Sequence, residues 1–272
     1  MSVTNVQKFS RLLNRYDIIC LGINGIVGAG IFLLPGRIAA LAGPASIFLY
    51  LLCGMLCLAI ALCFAEMGGM YQQTGGAYLY ARDTFGPMIG FMVGWMIWLS
   101  AIIGWATMAS GFLLYLRSFS PALSEGWRGK IIVAALIISL SSLNVLGVKI
   151  GARIINFFTI SKLIPICIFV TWGFSHVEVS LLHPIFVFDV KNIGSAAVIA
   201  LFAYTGFEHL SVPAGEMRNP KRDIPKAFFL VIIGSTIIYI LVQTIAIGTF
   251  PELAQSEKPL ADAAASFLGH RG

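Results

Sequence analysis

The stretch Gly-Ile-Val-Gly-Ala-Gly-Ile, from Gly25 to Ile31, lies inside the first long apolar segment of the chain. Each glycine costs a helix about 1 kcal/mol relative to alanine, so three of them within six residues predict a break in the helix. A membrane has no water to satisfy the exposed backbone groups, which then need a cavity or buried polar partners. Since many secondary transporters build a substrate site from helices interrupted at mid-membrane, this stretch predicts a transporter.

The composition supports a membrane protein. Hydrophobic residues make up 58% of the 272 residues and charged residues 11%, against about 25% charged residues in a typical soluble domain. The Lys and Arg residues are spread over short loops without a basic face, so we expect no nucleic-acid partner. No catalytic dyad, His-rich or paired-carboxylate pattern appears, and we expect no enzyme, catalytic residue, metal or cofactor. The five cysteines lie in apolar runs and are predicted to be small buried packing residues.

The apolar runs predict seven spans, at roughly 17–41, 45–65, 88–116, 130–148, 154–174, 194–213 and 227–250. Each is long enough to cross about 30 Å of hydrocarbon. With a cytoplasmic N-terminus, ten Lys and Arg residues fall on inner segments and seven on outer ones, in the sense of the positive-inside rule. We therefore expect a multi-pass protein of the plasma (inner) membrane, with residues 1–16 as a cytoplasmic segment.

The loop after span 2 is long and contains a glycine pair followed by tyrosines. Gly75 and Gly76 predict a turn, and residues 77–85 then form a short helix at the membrane interface. The alternative is that the tyrosines belong to an aromatic belt and no helix forms.

Span 6 carries a second candidate break. Thr205, Gly206, Glu208 and Pro213 suit a lipid-facing helix poorly, because a charged residue within a span normally faces a cavity or a partner. Spans 1 and 6 are five spans apart, and a repeat with an odd number of spans is inserted upside down in its second copy. The pattern predicts an inverted five-helix repeat whose two broken helices frame one site.

Four motifs carry a family resemblance. Residues 28–36, Gly-Ala-Gly-Ile-Phe-Leu-Leu-Pro-Gly, and residues 202–208, Phe-Ala-Tyr-Thr-Gly-Phe-Glu, resemble the first- and sixth-helix signatures of the amino acid–polyamine–organocation superfamily. Residues 214–225 resemble its loop between helices 6 and 7, and Glu66 with residues 75–78 resembles its loop between helices 2 and 3. The order and spacing of all four agree with that family.

The resemblance implies an all-α integral membrane fold built as an inverted repeat of five helices, with helices 1 and 6 broken. Residues 17–174 would form the first repeat, residues 194–250 the first two helices of the second, and residues 251–272 an outer loop or tail. Family members usually have about twelve helices, so the chain is expected to be truncated after about seven spans.

The resemblance also implies a site for an amino acid zwitterion. Its carboxylate would take the N–H groups at the break in span 1, and its ammonium the carbonyl groups freed in span 6. The expected substrate-binding residues are Ile26, Val27, Gly28, Ala29, Gly30, Ser100, Ala101, Trp105, Phe202, Ala203 and Thr205, with Phe202 as an aromatic gate. The alternative is structural: small residues pack helices together, and aromatic residues fill the core or an interfacial belt.

Two ionisable residues are candidates for proton coupling. Lys162 lies in span 5, where in relatives that resemble this chain a lysine sits beside the break in helix 1; the alternative is a lysine that extends to the membrane surface. Glu208 either relays protons or only holds the broken backbone of span 6 in shape.

The implied function is secondary active transport of amino acids by alternating access, as a proton symporter or as an antiporter that exchanges a second amino acid. The expected partners are the amino acid, a proton or exchanged amino acid, and the lipid bilayer. The alternative is a transport-inactive remnant, or a half-transporter that needs a separate chain to supply further helices.

Overall fold

A computed structural model describes residues 11–124, 126–145, 147–183 and 190–269. Within these ranges the regular elements are helices, joined by short 3-10 turns. The α-helices are α1 Arg15–Ile26, α2 Gly30–Ala42, α3 Ser46–Met70, α4 Ala77–Phe85, α5 Pro87–Phe119, α6 Pro121–Ser124, α7 Gly126–Val145, α8 Val148–Gly173, α9 Val190–Tyr204, α10 Pro220–Thr249 and α11 Pro259–Leu268. Most of the predicted cytoplasmic segment, residues 1–10, lies outside the described residues.

Six segments of the described chain are long and apolar enough to cross a membrane. They are Gly30–Met70, Pro87–Arg117, Gly126–Leu143, Val148–His176, Asn192–Ser211 and Pro220–Thr249. The first of them is 41 residues long and holds two helices, α2 and α3, which a 3-10 turn at Gly43–Ala45 separates. Predicted span 1 therefore corresponds to α1 with α2, and predicted span 2 to α3. The chain is an all-α membrane protein.

The centre of the molecule is the pair formed by α3 and α10, which make the most extensive helix–helix contact. Small residues allow the close approach: a β-carbon on Gly68 of α3 would lie 2.7 Å from the side chain of Ile224 on α10. Fully buried Gln243 of α10 donates to the carbonyl of Pro35 and to the hydroxyl of Ser46, and so ties α2 and α3 to the same helix. The broken helices pack around this pair, α1 against α10 and α8, and α2 against α9.

The predicted short helix after span 2 is confirmed, because α4 covers Ala77–Phe85. The region predicted as an outer loop or tail contains a helix, α11, whose Leu260 and Ala263 are buried where it packs on α2. The expectation of five buried cysteines is wrong for two of them, since Cys63 and Cys167 are exposed. Apolar character alone does not tell which face of a spanning helix points inward.

The segment that precedes α1 is hydrogen-bonded to the segment that lies between the predicted break in span 6 and α10. The backbone N–H of Leu13 donates to the Glu216 carbonyl, and the N–H of Arg218 donates to the Leu13 carbonyl, both at 3.0 Å. These two bonds form a parallel bridge between Leu13 and Met217. Asn14 then caps α1 together with Asp17 in a reciprocal capping box, which explains why the helix begins at Arg15.

Candidate functional site

The first predicted break is confirmed in span 1. Helix α1 ends at Ile26, and Val27 leaves the helical conformation with a ψ of 75°. The N–H of Gly28 then bonds only two residues back, to the Ile26 carbonyl at 2.8 Å, so the regular helical pattern is lost. A new helix, α2, starts at Gly30 with Ala29 as its N-cap.

The second predicted break is confirmed in span 6. Helix α9 ends at Tyr204, and Gly206 adopts a φ of 114°, a conformation that residues with a β-carbon disfavour. A 3-10 helix, Phe207–Ser211, continues the chain. The carboxylate of Glu208 accepts the Gly206 N–H at 2.8 Å and so satisfies a backbone group that the break exposes.

The two breaks touch each other. A β-carbon on Gly206 would lie 2.5 Å from the carbonyl oxygen of Gly25, and one on Gly25 would lie 3.1 Å from the carbonyl oxygen of Gly206. A β-carbon on Gly30 would lie 3.6 Å from the α-carbon of Ala203. The chains cross with backbone against backbone, which requires glycine at Gly206.

The carbonyl ends of α1 and α9 converge on donors from other helices. The Lys162 ammonium of α8 donates to the Asn24 carbonyl at 3.2 Å and to the Val27 carbonyl at 2.6 Å. The Tyr239 hydroxyl of α10 lies 2.8 Å from the Ile26 oxygen and 2.7 Å from the Ala203 oxygen. Since helix C-termini carry partial negative charge, a cation or a hydroxyl is the expected partner there.

The N-terminus of α2 supplies the opposite polarity. The N–H groups of Ala29, Gly30 and Ile31 have no acceptor within the described part of the chain, and Ala29 offers no side-chain cap. These N–H groups add to the partial positive charge of a helix N-terminus. The break thus places unbonded N–H groups of α2 within a few residues of the carbonyl groups of α1, and the end of α9 lies beside them in space.

Predicted residues of spans 1 and 5 come together with Ala203 of span 6, whereas the predicted residues of span 3 are exposed or half-buried. Ile26, Val27 and Ala203 are buried at the crossing, and Lys162 reaches it. The other span 6 residues, Phe202 and Thr205, are exposed, and the Thr205 hydroxyl donates to the Phe202 carbonyl at 2.8 Å.

On α5, Ser100 and Trp105 are exposed and Ala101 is half-buried. The α5 residues that meet the first break are Met108 and Gly111. A β-carbon on Gly28 would lie 2.9 Å from the Met108 side chain, and one on Gly111 would lie 3.7 Å from the Ala29 β-carbon. The Tyr115 hydroxyl adds a 3.1 Å bond to the Phe32 carbonyl of α2.

The sequence-based prediction assigned no site residue to α10. Thr236, Tyr239 and Gln243 follow a spacing of three and four residues, which places them on one helix face, and all three are buried. A polar stripe at that spacing within an apolar helix was a readable signal of an inward-facing surface.

A cavity of about 240 Å³ lies at the end of α1 that carries its N-cap. It is lined by Asp17, Glu216 and small or apolar residues of α8. The Asn156 amide of α8 donates to the Asp17 carboxylate at 2.7 Å, which ties this end of α1 to α8. Partial burial raises the pKa of the Glu216 carboxyl above its usual value.

The chain matches a family model described as amino acid permease over residues 13–269. It is 29% identical over 260 residues to a methylthioribose transporter of Bacillus subtilis, which covers 90% of the chain and 56% of that relative. It is 28% identical over 261 residues to the branched-chain amino acid permease BcaP of the same bacterium, with the same two coverages of 90% and 56%.

A third relative is the serine/threonine exchanger SteT of Bacillus subtilis, which is 34% identical over 235 residues, or 82% of the chain and 51% of the relative. The chain therefore spans about half the length of the curated relatives it matches. All three relatives bear the names of membrane carriers, and none bears the name of an enzyme.

Proposed function

Because the chain belongs to the amino acid permease family, we propose that it transports amino acids across a membrane by alternating access, as a proton symporter or an amino acid antiporter. The observation that carries the proposal is the crossing of the two broken helices. Open N–H groups on α2 face the same region as the carbonyl ends of α1 and α9. An amino acid zwitterion is short, so the N–H groups that bind its carboxylate and the carbonyl groups that bind its ammonium must lie close together.

The binding roles follow from that polarity. The substrate carboxylate takes the N–H groups of Ala29, Gly30 and Ile31, where the dipole of α2 favours an anion. The ammonium takes the carbonyl oxygen of Ala203, at the end of α9. Gly28 carries no side chain, which leaves room for the ligand beside the flexible end of Met108. Phe202 is the candidate gate, because its partly exposed ring stands one residue before Ala203.

Proton coupling is assigned to Lys162. A charged ammonium holds the Asn24 and Val27 carbonyls, and a neutral amine holds them more weakly, since charge-assisted hydrogen bonds are the stronger ones. Loss of the proton therefore loosens the end of α1 from α8. For Glu208, the bond to the Gly206 N–H favours a role in holding the broken backbone of span 6 in shape over a role in proton transfer.

The proposed setting is the plasma (inner) membrane, with the N-terminus in the cytoplasm. The basic residues support this orientation: Arg218 lies on the loop before α10, Lys221, Arg222 and Lys226 lie in its first two turns, and all four are exposed.

A second candidate is a half-transporter that works with a separate chain. The exposed apolar surface of α5 favours it. Trp95, Trp98 and Trp105 are 50%, 54% and 66% exposed, and they lie on the helix that contacts the first break. A further set of helices would cover this face, as α3 covers α10.

Reconstitution tests these candidates. The purified chain is placed in liposomes, and uptake of each of the twenty L-amino acids is measured under an imposed proton gradient and, separately, with the same amino acid preloaded inside. Methylthioribose is included because one relative is named as a transporter of that compound. Protein-free liposomes are the control. Binding to the chain in detergent is measured in parallel by equilibrium dialysis.

Saturable uptake of an amino acid supports transport by this chain. Binding without uptake supports the half-transporter. A folded, inserted chain that neither binds nor moves any amino acid contradicts both and supports a transport-inactive remnant.

A further inference from the structure

Tyr239 is the one described side chain whose polar atom bonds both breaks. It lies in the middle of α10 and is 1% exposed. Its hydroxyl oxygen is 2.8 Å from the carbonyl oxygen of Ile26 and 2.7 Å from that of Ala203. These carbonyls belong to the last turns of α1 and α9, so a single group on the most buried helix contacts both broken spans.

The number of hydrogens does not match the number of acceptors. A tyrosine hydroxyl carries one hydrogen and donates it to one acceptor at full strength. The Ile26 oxygen already accepts the Gly28 N–H at 2.8 Å. The Ala203 oxygen has no other donor among the residues that the structure describes. In a site without substrate, the Tyr239 hydrogen is therefore needed at Ala203 and not at Ile26.

The surrounding rings hold the Tyr239 oxygen in place. The Tyr50 ring lies 5.3 Å from the Tyr239 ring, and the Tyr204 ring meets it edge-on at 5.1 Å. The Tyr204 hydroxyl donates to the Tyr50 carbonyl at 2.8 Å, which locks the cluster to α3. Since the ring is packed on both sides, rotation of the O–H bond is the movement left to this group.

We propose that Tyr239 is a positioning residue whose one hydroxyl hydrogen switches between α9 and α1, and that an amino acid ammonium sets the switch. The inference rests on the proposed transport function. An ammonium that donates to the Ala203 oxygen replaces the tyrosine there. The hydroxyl then turns to the Ile26 oxygen and adds a bond that holds the end of α1 to α10. Occupancy of the site and the position of α1 are coupled through this single hydrogen.

Cys20 offers a probe of α1 within the native chain. It lies in α1 and is 5% exposed, so a water-soluble maleimide reaches it only when α1 moves away from its neighbours. Replacing the other four cysteines, Cys53, Cys57, Cys63 and Cys167, with alanine leaves Cys20 as the single thiol. The rate of Cys20 labelling is measured in detergent, without ligand and with each of the twenty L-amino acids as probes. Binding of each is measured separately by equilibrium dialysis.

In the single-thiol chain, an amino acid that binds is expected to slow Cys20 labelling. Tyr239→Phe removes the hydrogen and keeps the ring. It is expected to leave the ligand-free labelling rate near that of the parent, because the hydrogen then lies at Ala203 and does not hold α1. It is expected to abolish the slowing by the amino acid, so that with amino acid bound the variant labels roughly three- to tenfold faster than the parent, the size of effect that follows from a lost buried hydrogen bond.

Tyr204→Phe is the matched control. It removes the same kind of buried bond from a tyrosine hydroxyl to a backbone carbonyl, but to α3 instead of α1. It is expected to keep the response to the amino acid.

A second variant tests the hydrogen count directly and does not depend on whether Tyr239→Phe folds. Tyr239→p-aminophenylalanine places two N–H donors where the hydroxyl had one, so both carbonyls are satisfied at once. Cys20 labelling is then expected to be slow with and without amino acid. A role confined to ring packing predicts no change in labelling for either variant.

The outcomes separate this inference from the proposed function. A chain that binds an amino acid but whose Tyr239→Phe variant keeps the slowing of Cys20 labelling by that amino acid overturns the switch and leaves the function standing. A chain that binds none of the twenty overturns the function, and the switch with it.

Discussion

Gly206 and Gly25 meet so closely that a β-carbon on Gly206 would lie 2.5 Å from the carbonyl oxygen of Gly25. The two residues belong to different broken spans and are far apart in the sequence. Each glycine therefore does more than interrupt its own helix: it makes the crossing of the two interruptions possible. The geometry of the candidate site depends on this one backbone contact.

Gly206→Ala is expected to destabilise the fold. Its φ of 114° strains any residue with a β-carbon, at a cost of about 1–3 kcal/mol, and the added methyl collides with a backbone atom that has no freedom to move aside. The measurement is the midpoint of thermal unfolding in detergent, followed by tryptophan fluorescence.

Gly194→Ala is the matched control, because Gly194 lies in α9, the helix that ends just before Gly206, and a β-carbon there meets nothing within 4 Å. That change is expected to leave the midpoint equal or higher, since alanine favours a helix by about 1 kcal/mol. Equal midpoints for Gly206→Ala and the parent chain would show that the crossing is looser than described.

Lys162→Gln is expected to flatten the pH dependence of amino acid uptake or binding. Glutamine still offers N–H donors to the carbonyls of Asn24 and Val27, but it takes up no proton in the working range. The measurement compares uptake, or binding if the chain does not transport alone, across a series of pH values.

Lys149→Gln serves as the control for Lys162→Gln, because Lys149 is exposed at the start of the same helix. It should reproduce the pH profile of the parent chain. A Lys162→Gln profile that superimposes on the parent profile rejects the coupling role.

Asp17 and Asn156 are expected to show energetic coupling. Asp17→Ala removes the acceptor of the Asn14 N–H in the capping box of α1 and the acceptor of the Asn156 amide, and should cost about 1 kcal/mol or more of stability. Asn156→Ala removes the interhelical bond alone. A double-mutant cycle on the unfolding free energy should give a coupling of at least about 0.5 kcal/mol. Strictly additive effects would mean that the 2.7 Å contact does not hold α1 to α8.

Both breaks were predictable because their signals are local. Glycine at Gly28 and Gly30, and the polar run from Thr205 to Glu208, are poor choices for a lipid-facing helix whatever surrounds them. The short helix α4 was predictable for the same reason, since the glycine pair before it starts a turn and the residues after it suit a membrane interface.

The sequence did not allow us to predict which residues of α5 contact the first break. This helix runs for 33 residues and is apolar along its whole length, so its pattern does not reveal which turn faces the break. The sequence pointed to Ser100, whereas the structure brings Met108 and Gly111 to Ala29 and its neighbours, about two to three turns further on.

Tyr239 was missed for a different reason. A tyrosine in a span is commonly an interfacial residue, and only its spacing to Thr236 and Gln243 marks it as facing inward. Its partners, the Ile26 and Ala203 carbonyls, are 213 and 36 positions away. Contacts of that separation depend on how the helices assemble, and no local pattern encodes them.

The bridge between Leu13 and Met217 makes the two broken spans mechanically interdependent at one membrane face. Because its two bonds join backbone to backbone, no side-chain rearrangement releases them. A tilt of α1 that starts at Arg15 would carry residues 214–217 with it for as long as the two bonds hold. A cross-link between residues 13 and 217 would then leave such a joint movement intact.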